Sequence, residues 1–208
     1  MTEAHRPAPP SPPVSAADSL AETEASRSAK ADIPAREDVL TLAETVDHLV
    51  DATGDPSVSL RRAMILLDID QHPNTTQNGI GERLNLEKSV VSRNVDWLWG
   101  HGCITRTEGR LDAREHALHA STYTHKHLQL ALRPFGQQHE ALKNILHRFI
   151  GLFHKHMPSL RELKALLAVG FKGEASRSDI INNLYDGPPT TDQRAIRNLI
   201  EEGIVDNT

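Results

Sequence analysis

The stretch "SVVSRNVDWLWGHGCI", residues 89–104, decides how the rest of the chain reads. Val91, Val95 and Leu98 recur at helical spacing and share one face. Ser89, Ser92 and Arg93, with Lys88 just before them, share the opposite face near the helix start. Gly100 and Gly102 stop the helix, and Cys103-Ile104 opens an extended segment. The pattern predicts a helix over 87–99, anchored on its apolar side and kept small and cationic on the other.

Working outward, the upstream neighbours are helical. "QNGIGERL" at 77–84 is a short helix that Thr75 or Thr76 can cap, with a tight link at Asn85-Leu86 into the next helix. "SLRRAMILLDI" at 59–69 places Leu60, Ala63, Met64 and Leu67 at helical spacing, and His72-Pro73-Asn74 ends it. Before it, Val39, Leu42, Ala43, Val46, Leu49 and Val50 form one face of a helix from Arg36 to about Thr53. Downstream, "CITRTEG" and "EHALHAST" read as two short strands joined by the polar tip "RLDAR". Three helices followed by a two-stranded hairpin make a winged helix-turn-helix.

A long helical stretch follows, about Thr124 to His156, with Leu142, Ile145, Leu146, Phe149 and Phe153 as its apolar stripe. Pro134-Phe135-Gly136 should break or kink it. Ser159-Leu160-Arg161-Glu162 has the form of a capping box. The chain then repeats itself. "SLRELKALLAV" at 159–169 matches "SLRRAMILLDI" at an offset of 100, and "IRNLIEEGIV" at 196–205 matches "VDWLWGHGCI" at an offset of 101. The expected fold is mainly α with a small β-hairpin wing: tandem winged helix-turn-helix units joined by a long helix. The expected domains are a Pro/Ala/Ser-rich tail (1–35) that should be disordered, a helix plus winged unit (36–122), a linking or dimerisation helix (123–158) and a second unit with a truncated wing (159–208).

Bulk properties narrow the function. The 208 residues carry a net charge of −5, 38% apolar and 4% aromatic side chains, and a single cysteine, Cys103. Few aromatics favour small helical cores, and one cysteine excludes an internal disulfide or a cysteine-based zinc finger. No apolar run of about eighteen residues offers a membrane span. The N-terminus has no signal-peptide core, so a cytoplasmic, nucleoid-associated protein is expected. The acidity is uneven: residues 1–58 sum to −7, 59–122 to 0 and 123–208 to +2. For DNA, the local placement of Lys and Arg matters more than the total.

The candidate DNA contacts follow. A recognition helix puts its N-terminal residues at base edges in the major groove. Lys88, Ser89, Ser92 and Arg93 occupy that place; short serines admit the backbone closely, and Arg93 can take a guanine edge or a phosphate. The wing adds Arg106 and Arg110, with Arg110 at the tip placed for the minor groove or its phosphates. In the second unit, Gln193, Arg194 and Arg197 face outward, although Glu201 and Glu202 follow. Direct DNA contact there and packing against protein are both open.

Residues 59–122 resemble the DNA-binding domain of MarR-type transcriptional regulators. The resemblance rests on "SVVSRNVDWLWGHGCITR", on Asp112-Ala-Arg114, and on Leu118, Ala120 and Ser121 behind it. It implies that Asp112 holds the wing arginines by a salt bridge, and that Arg114 contacts DNA or braces the hairpin. It also implies a homodimer, a repressor role, and room for a small-molecule effector that no polar cluster identifies.

Other signals are weaker. Twelve histidines include "HKH" at 125–127 and 154–156, but His147/His154 and His116/His119 lack the spacing of zinc ligands on one face, so no metal or other cofactor is expected. Cys103 reads as a small buried hydrophobe. One of Trp97 and Trp99 should pack inward and the other stay partly exposed. No phosphate loop, nucleophile motif or carboxylate pair suggests an enzyme. The main expectation is sequence-specific, double-stranded DNA binding by a transcriptional regulator. The alternative is a winged-helix interaction module or an accessory factor in replication, conjugation or partition.

Overall fold

The computed structural model describes residues 36–108, 116–172 and 189–205. The expected tail 1–35 and the tip residues Arg110, Asp112 and Arg114 lie outside the described residues.

Helix α1 spans Arg36–Thr53 and buries Val39, Val46, Leu49 and Val50. Glu37 and Asp38 sit in its first turn, where the helix dipole favours them, and Gly54 ends it at φ 71°. Helix α2, Leu60–Gln71, starts at Ser59, whose Oγ accepts from the Arg62 N–H at 3.3 Å. It is the central helix: Leu60, Ala63, Ile65, Leu66, Leu67 and Ile69 are all essentially inaccessible. A helix buried on most sides needs apolar residues all round, which is why "AMILLDI" shows more than one stripe.

Two aspartates share that burial. Asp68 accepts a paired hydrogen bond from Arg83, through Nη2 at 2.7 Å and Nε at 3.1 Å, and another from Lys143 Nζ at 3.3 Å. Asp70 meets His125 Nδ1 at 2.6 Å and His139 Nε2 at 2.9 Å. These partners come from later helices, so each acid ties α2 to a distant part of the chain.

Helix α3, Gln77–Leu84, is capped by Thr76, whose hydroxyl accepts from the Gly79 N–H at 3.2 Å. Thr75 pairs with Leu118 of the wing instead. Asn85 adopts φ 50° at the turn, and helix α4 runs Lys88–Gly100. Gly102 at φ 71° turns the chain into β1, Ile104–Glu108. β1 pairs antiparallel with β2, His116–Ala120, with Arg106 opposite Leu118.

The stretch expected as one long helix is two. Helix α5, Thr122–Leu132, packs along α1. A 3₁₀ turn, Arg133–Phe135, follows, and Gly136 and Gln137 take φ 59° and 64°. Helix α6, His139–Ile150, then packs on α2. Pro134 has no N–H to continue α5, and the left-handed pair after it redirects the chain, so of the expected break or kink the structure shows the break. The helix also stops at Ile150 rather than His156.

Helix α7, Leu160–Lys172, begins with the expected capping box: Ser159 Oγ accepts from the Glu162 N–H at 3.3 Å, and Glu162 accepts from the Ser159 N–H at 2.7 Å. Helix α8, Pro189–Glu201, packs on α7 through Ile196 and Leu199, which form a small cluster with Phe153 and Ala165. Arg161 and Asp192 form a buried ion pair between the two. Among the described residues, no helix is long and apolar enough to cross a membrane.

Candidate nucleic-acid interface

The site is built on α4. Val91, Val95 and Leu98 are fully buried against the core and fix the rotation of the helix about its axis. Lys88, Ser89 and Arg93 are consequently exposed, while Ser92 is half-buried. The approach of α3 sets the depth of the turn. The Leu86 N–H reaches back to the Gly81 carbonyl at 2.9 Å, and a Cβ on Gly81 would stand 3.0 Å from the Leu86 oxygen. Only glycine fits there without a shift of that backbone.

The exposed face makes only local contacts. Arg93 Nε donates to the Ser89 carbonyl at 3.1 Å, which lays the guanidinium along its own helix. Ser92 Oγ donates to Asp96 Oδ2 at 3.4 Å. Glu87 provides no side-chain cap for α4. The first N–H groups of α4 therefore stay available to an anion beside Lys88 and Ser89.

Arg106 is placed differently from its neighbours on the interface. Its Nη2 donates to Asp96 Oδ1 at 2.5 Å, and its guanidinium lies 4.5 Å from the Trp99 ring centre. This ion pair and stack join β1 to the last turn of α4. Bracing of the kind expected from Asp112 is thus supplied, within the described residues, by Asp96. Trp97 packs inward, stacked on His101 at 3.6 Å and covered by Arg62 at 4.1 Å, while Trp99 is half-exposed. Cys103 is buried just before β1; burial pushes its thiol up, against the pull of Arg62. That environment suits a packing residue and disfavours the reactive thiolate.

In the C-terminal segment, Gln193, Arg194 and Arg197 are exposed on α8, with Asp192, Ala195, Ile196 and Leu199 beneath them. Neither arginine forms an ion pair among the described residues.

Two further groupings escaped the sequence. His48 and Asp51 on α1 and His127 on α5 hold ligand atoms within 4.8 Å of one another, and the Nδ1 atoms of both histidines lack hydrogen-bond partners. Two imidazoles and a carboxylate are a chemically sound donor set for zinc, with one position left for water. His48 and Asp51 stand three apart on α1, but His127 is too distant in sequence for a spacing rule to join it to them. A cleft of about 420 Å³ lies between α2, α3 and α6, lined by Met64, His72, Arg83, Lys143 and His147 among others.

Residues 58–116 match the model of the MarR family. No curated protein matches the chain. Among solved structures, the chain is similar to Streptococcus pneumoniae FabT in complex with DNA, at 16% identity and TM-score 0.37, over 67% of this chain and 85% of that one. It is similar to the transcriptional repressor CouR bound to a 23-mer DNA duplex, at 22% identity and TM-score 0.36, over 51% of this chain and 75% of that one. It is also similar to the PcaV transcriptional regulator from Streptomyces coelicolor in complex with its natural ligand, at 20% identity and TM-score 0.33, over 50% and 81%. Residues 58–116 are thus similar to the MarR family, and the helices and hairpin of that segment have the winged helix-turn-helix arrangement.

Proposed function

We propose that the chain is a sequence-specific repressor of transcription that lays α4 in the major groove of duplex DNA. One observation carries the reading. The start of α4 offers Lys88, Ser89 and Arg93 together, on a helix whose other face is locked by Val91, Val95 and Leu98. Arg93 swings from the Ser89 carbonyl to a guanine edge or a phosphate, and exchanges one acceptor for a stronger one. Ser92 and the α4 N-terminus take backbone phosphates. Arg106, held by Asp96, fixes β1 against α4; the tip residues lie outside the described ones, and the reading keeps Arg110 for the minor groove or its phosphates, Asp112 for a salt bridge to wing arginines, and Arg114 for a DNA contact or for bracing the hairpin.

The resemblance to MarR regulators brings two recognition helices on a roughly palindromic operator, with half-sites about one helical turn apart; members of the family supply the second helix by forming a homodimer. It also brings an effector, for which the cleft beside Arg83 and Lys143 is the place. The protein works in the cytoplasm at the nucleoid and catalyses no reaction.

The test is a fluorescence-anisotropy titration against fragmented genomic DNA. Specific binding should weaken steeply with salt, by about one unit of log–log slope per phosphate contact. Arg93→Ala should cost about 1–3 kcal/mol of specific affinity. Equal affinity for random DNA, or no effect of the substitution, would favour a winged helix that binds protein.

A further inference from the structure

The two matching stretches of sequence meet in the fold. Ser59 and Ser159 form an antiparallel bridge: the Leu60 N–H donates to the Pro158 carbonyl at 2.8 Å, and the Leu160 N–H donates to the Val58 carbonyl at 2.8 Å. Each half of that exchange is the other moved by 100 residues. Such a reciprocal pair lies on a local two-fold axis. The helices around it obey the same rule. α2 packs on α6, the helix that precedes α7, and α7 packs on α1, the helix that precedes α2. Residue i touching j while the equivalent of j touches the equivalent of i is the signature of an isologous interface, here within one chain.

The equivalence extends to the outer helices. α4 spans Lys88–Gly100 and α8 spans Pro189–Glu201, the same length at an offset of 101. Val91, Val95 and Leu98 are buried, and so are Asp192, Ile196 and Leu199. Gly102 and Gly203 both take φ 71°. The Cys103 N–H returns to the Leu98 carbonyl at 2.9 Å, and the Ile204 N–H to the Leu199 carbonyl at 3.0 Å. Arg62 covers Trp97, while the equivalent Glu162 accepts from Asn198 Nδ2 at 2.7 Å. One helix-on-helix contact is thus held twice by different chemistry. That speaks against chance periodicity, which would reproduce apolar spacing but not side-chain partners.

What α8 turns outward has the character of a DNA-facing surface. The positions equivalent to Ser89, Ser92, Arg93 and Asp96 carry Thr190, Gln193, Arg194 and Arg197, all exposed. Each face carries two cations, Lys88 and Arg93 on α4 and Arg194 and Arg197 on α8. The acidic pair at its end does not oppose this. Glu202 folds back and accepts from the His154 and Lys155 backbone N–H groups at 2.9 and 2.8 Å, leaving only Glu201 exposed, at the far end of the helix.

We infer that α8 is a second helix that contacts duplex DNA, related to α4 by a two-fold axis inside the chain, so that one chain occupies both half-sites of its operator. The inference rests on the DNA-binding reading of α4 and adds where the second helix comes from. A homodimer would supply it from a partner; this fold supplies it from residues 189–201.

The experiment uses the full chain and a duplex selected by that chain from fragmented genomic DNA. Native mass spectrometry counts chains per duplex, and hydroxyl-radical footprinting maps the protected backbone. The expected result is one chain per duplex with two protected tracts about one helical turn apart. Arg194→Ala/Arg197→Ala should erase one tract, weaken binding roughly tenfold or more and lower the salt slope by about two. Arg93→Ala should weaken the other tract. Both variants change exposed side chains only, and circular dichroism melts confirm that they fold. A single tract, or two tracts filled by two chains and unaffected at Arg194 and Arg197, overturns the inference while leaving the role of α4 intact. That pattern would leave α8 as a protein-binding surface. Loss of neither tract in either variant overturns the DNA-binding reading itself.

Discussion

At the scale of single residues, the buried acids explain more of this protein than its apolar positions do. Asp70 has two histidines on it, and its carboxyl sits below the usual carboxylate range. Burial alone would raise it, but hydrogen bonds from His139 and His125, with the attraction of both rings, outweigh that. A carboxylate with a depressed folded value stabilises the fold above its unfolded pKa of about 4, and that contribution is lost as pH falls through the depressed value. Asp70→Asn should therefore be about 1–3 kcal/mol less stable at neutral pH, and its melting temperature should fall less steeply than wild type below about pH 4. Thermal melts across pH 2–7 (roughly the window the linkage rule sets) check this; parallel acid slopes would remove Asp70 from the network. Asp68, fixed by Arg83 and Lys143, has no solvent route to relieve a lost partner. Arg83→Ala should cost about 1–3 kcal/mol in denaturant titrations, because it removes the paired hydrogen bond and leaves Asp68 to Lys143.

At the scale of elements, the sequence was readable where the determinants are local. The stripe Val91, Val95, Leu98 fixed α4 and its outward face, Thr76 capped α3, and Ser159 with Glu162 made the capping box. The break at Arg133–Phe135 followed from Pro134, but the direction the chain takes after it did not, because Gln137 takes a left-handed φ that its side chain does not announce. The Asp96–Arg106 brace needs the hairpin's position relative to α4, which no spacing encodes. The turn between α3 and α4 is the most sensitive joint. Gly81→Ala gains helix propensity worth about 1 kcal/mol, yet drives a Cβ against the Leu86 carbonyl at 3.0 Å. Overpacking against backbone should win, with a net loss of about 1 kcal/mol and weaker DNA binding through a displaced α4. Equal or higher stability in a melt would show that the turn can yield.

At the scale of the whole molecule, the repeat seen in the sequence and the break seen in the fold belong together. Splitting the stretch after the wing into α5 and α6 lets α6 lie on α2 while α7 lies on α1. A continuous helix over 124–156 would have held these surfaces apart. The long-range acids serve the same end, since Asp68 and Asp70 join α2 to α5 and α6. None of these pairings was legible beforehand; each partner is an ordinary surface residue until the chain folds back. Residues 1–35 carry three basic and five acidic side chains, only −2 of the −7 of residues 1–58. Removing residues 1–35 should therefore leave DNA affinity within about twofold, or raise it at low salt where screening is weak. A large loss by anisotropy titration would assign that tail a direct part in binding.

The central claim is that α4 enters the major groove, and guanine N7 reports on that groove directly. Dimethyl sulfate methylates N7 unless something covers it. With the full chain bound to its selected duplex, guanines within the site should become protected, and a Lys88→Glu/Arg93→Glu variant should leave them reactive. Tight binding with every N7 still reactive, or protection that survives the double substitution, would contradict it.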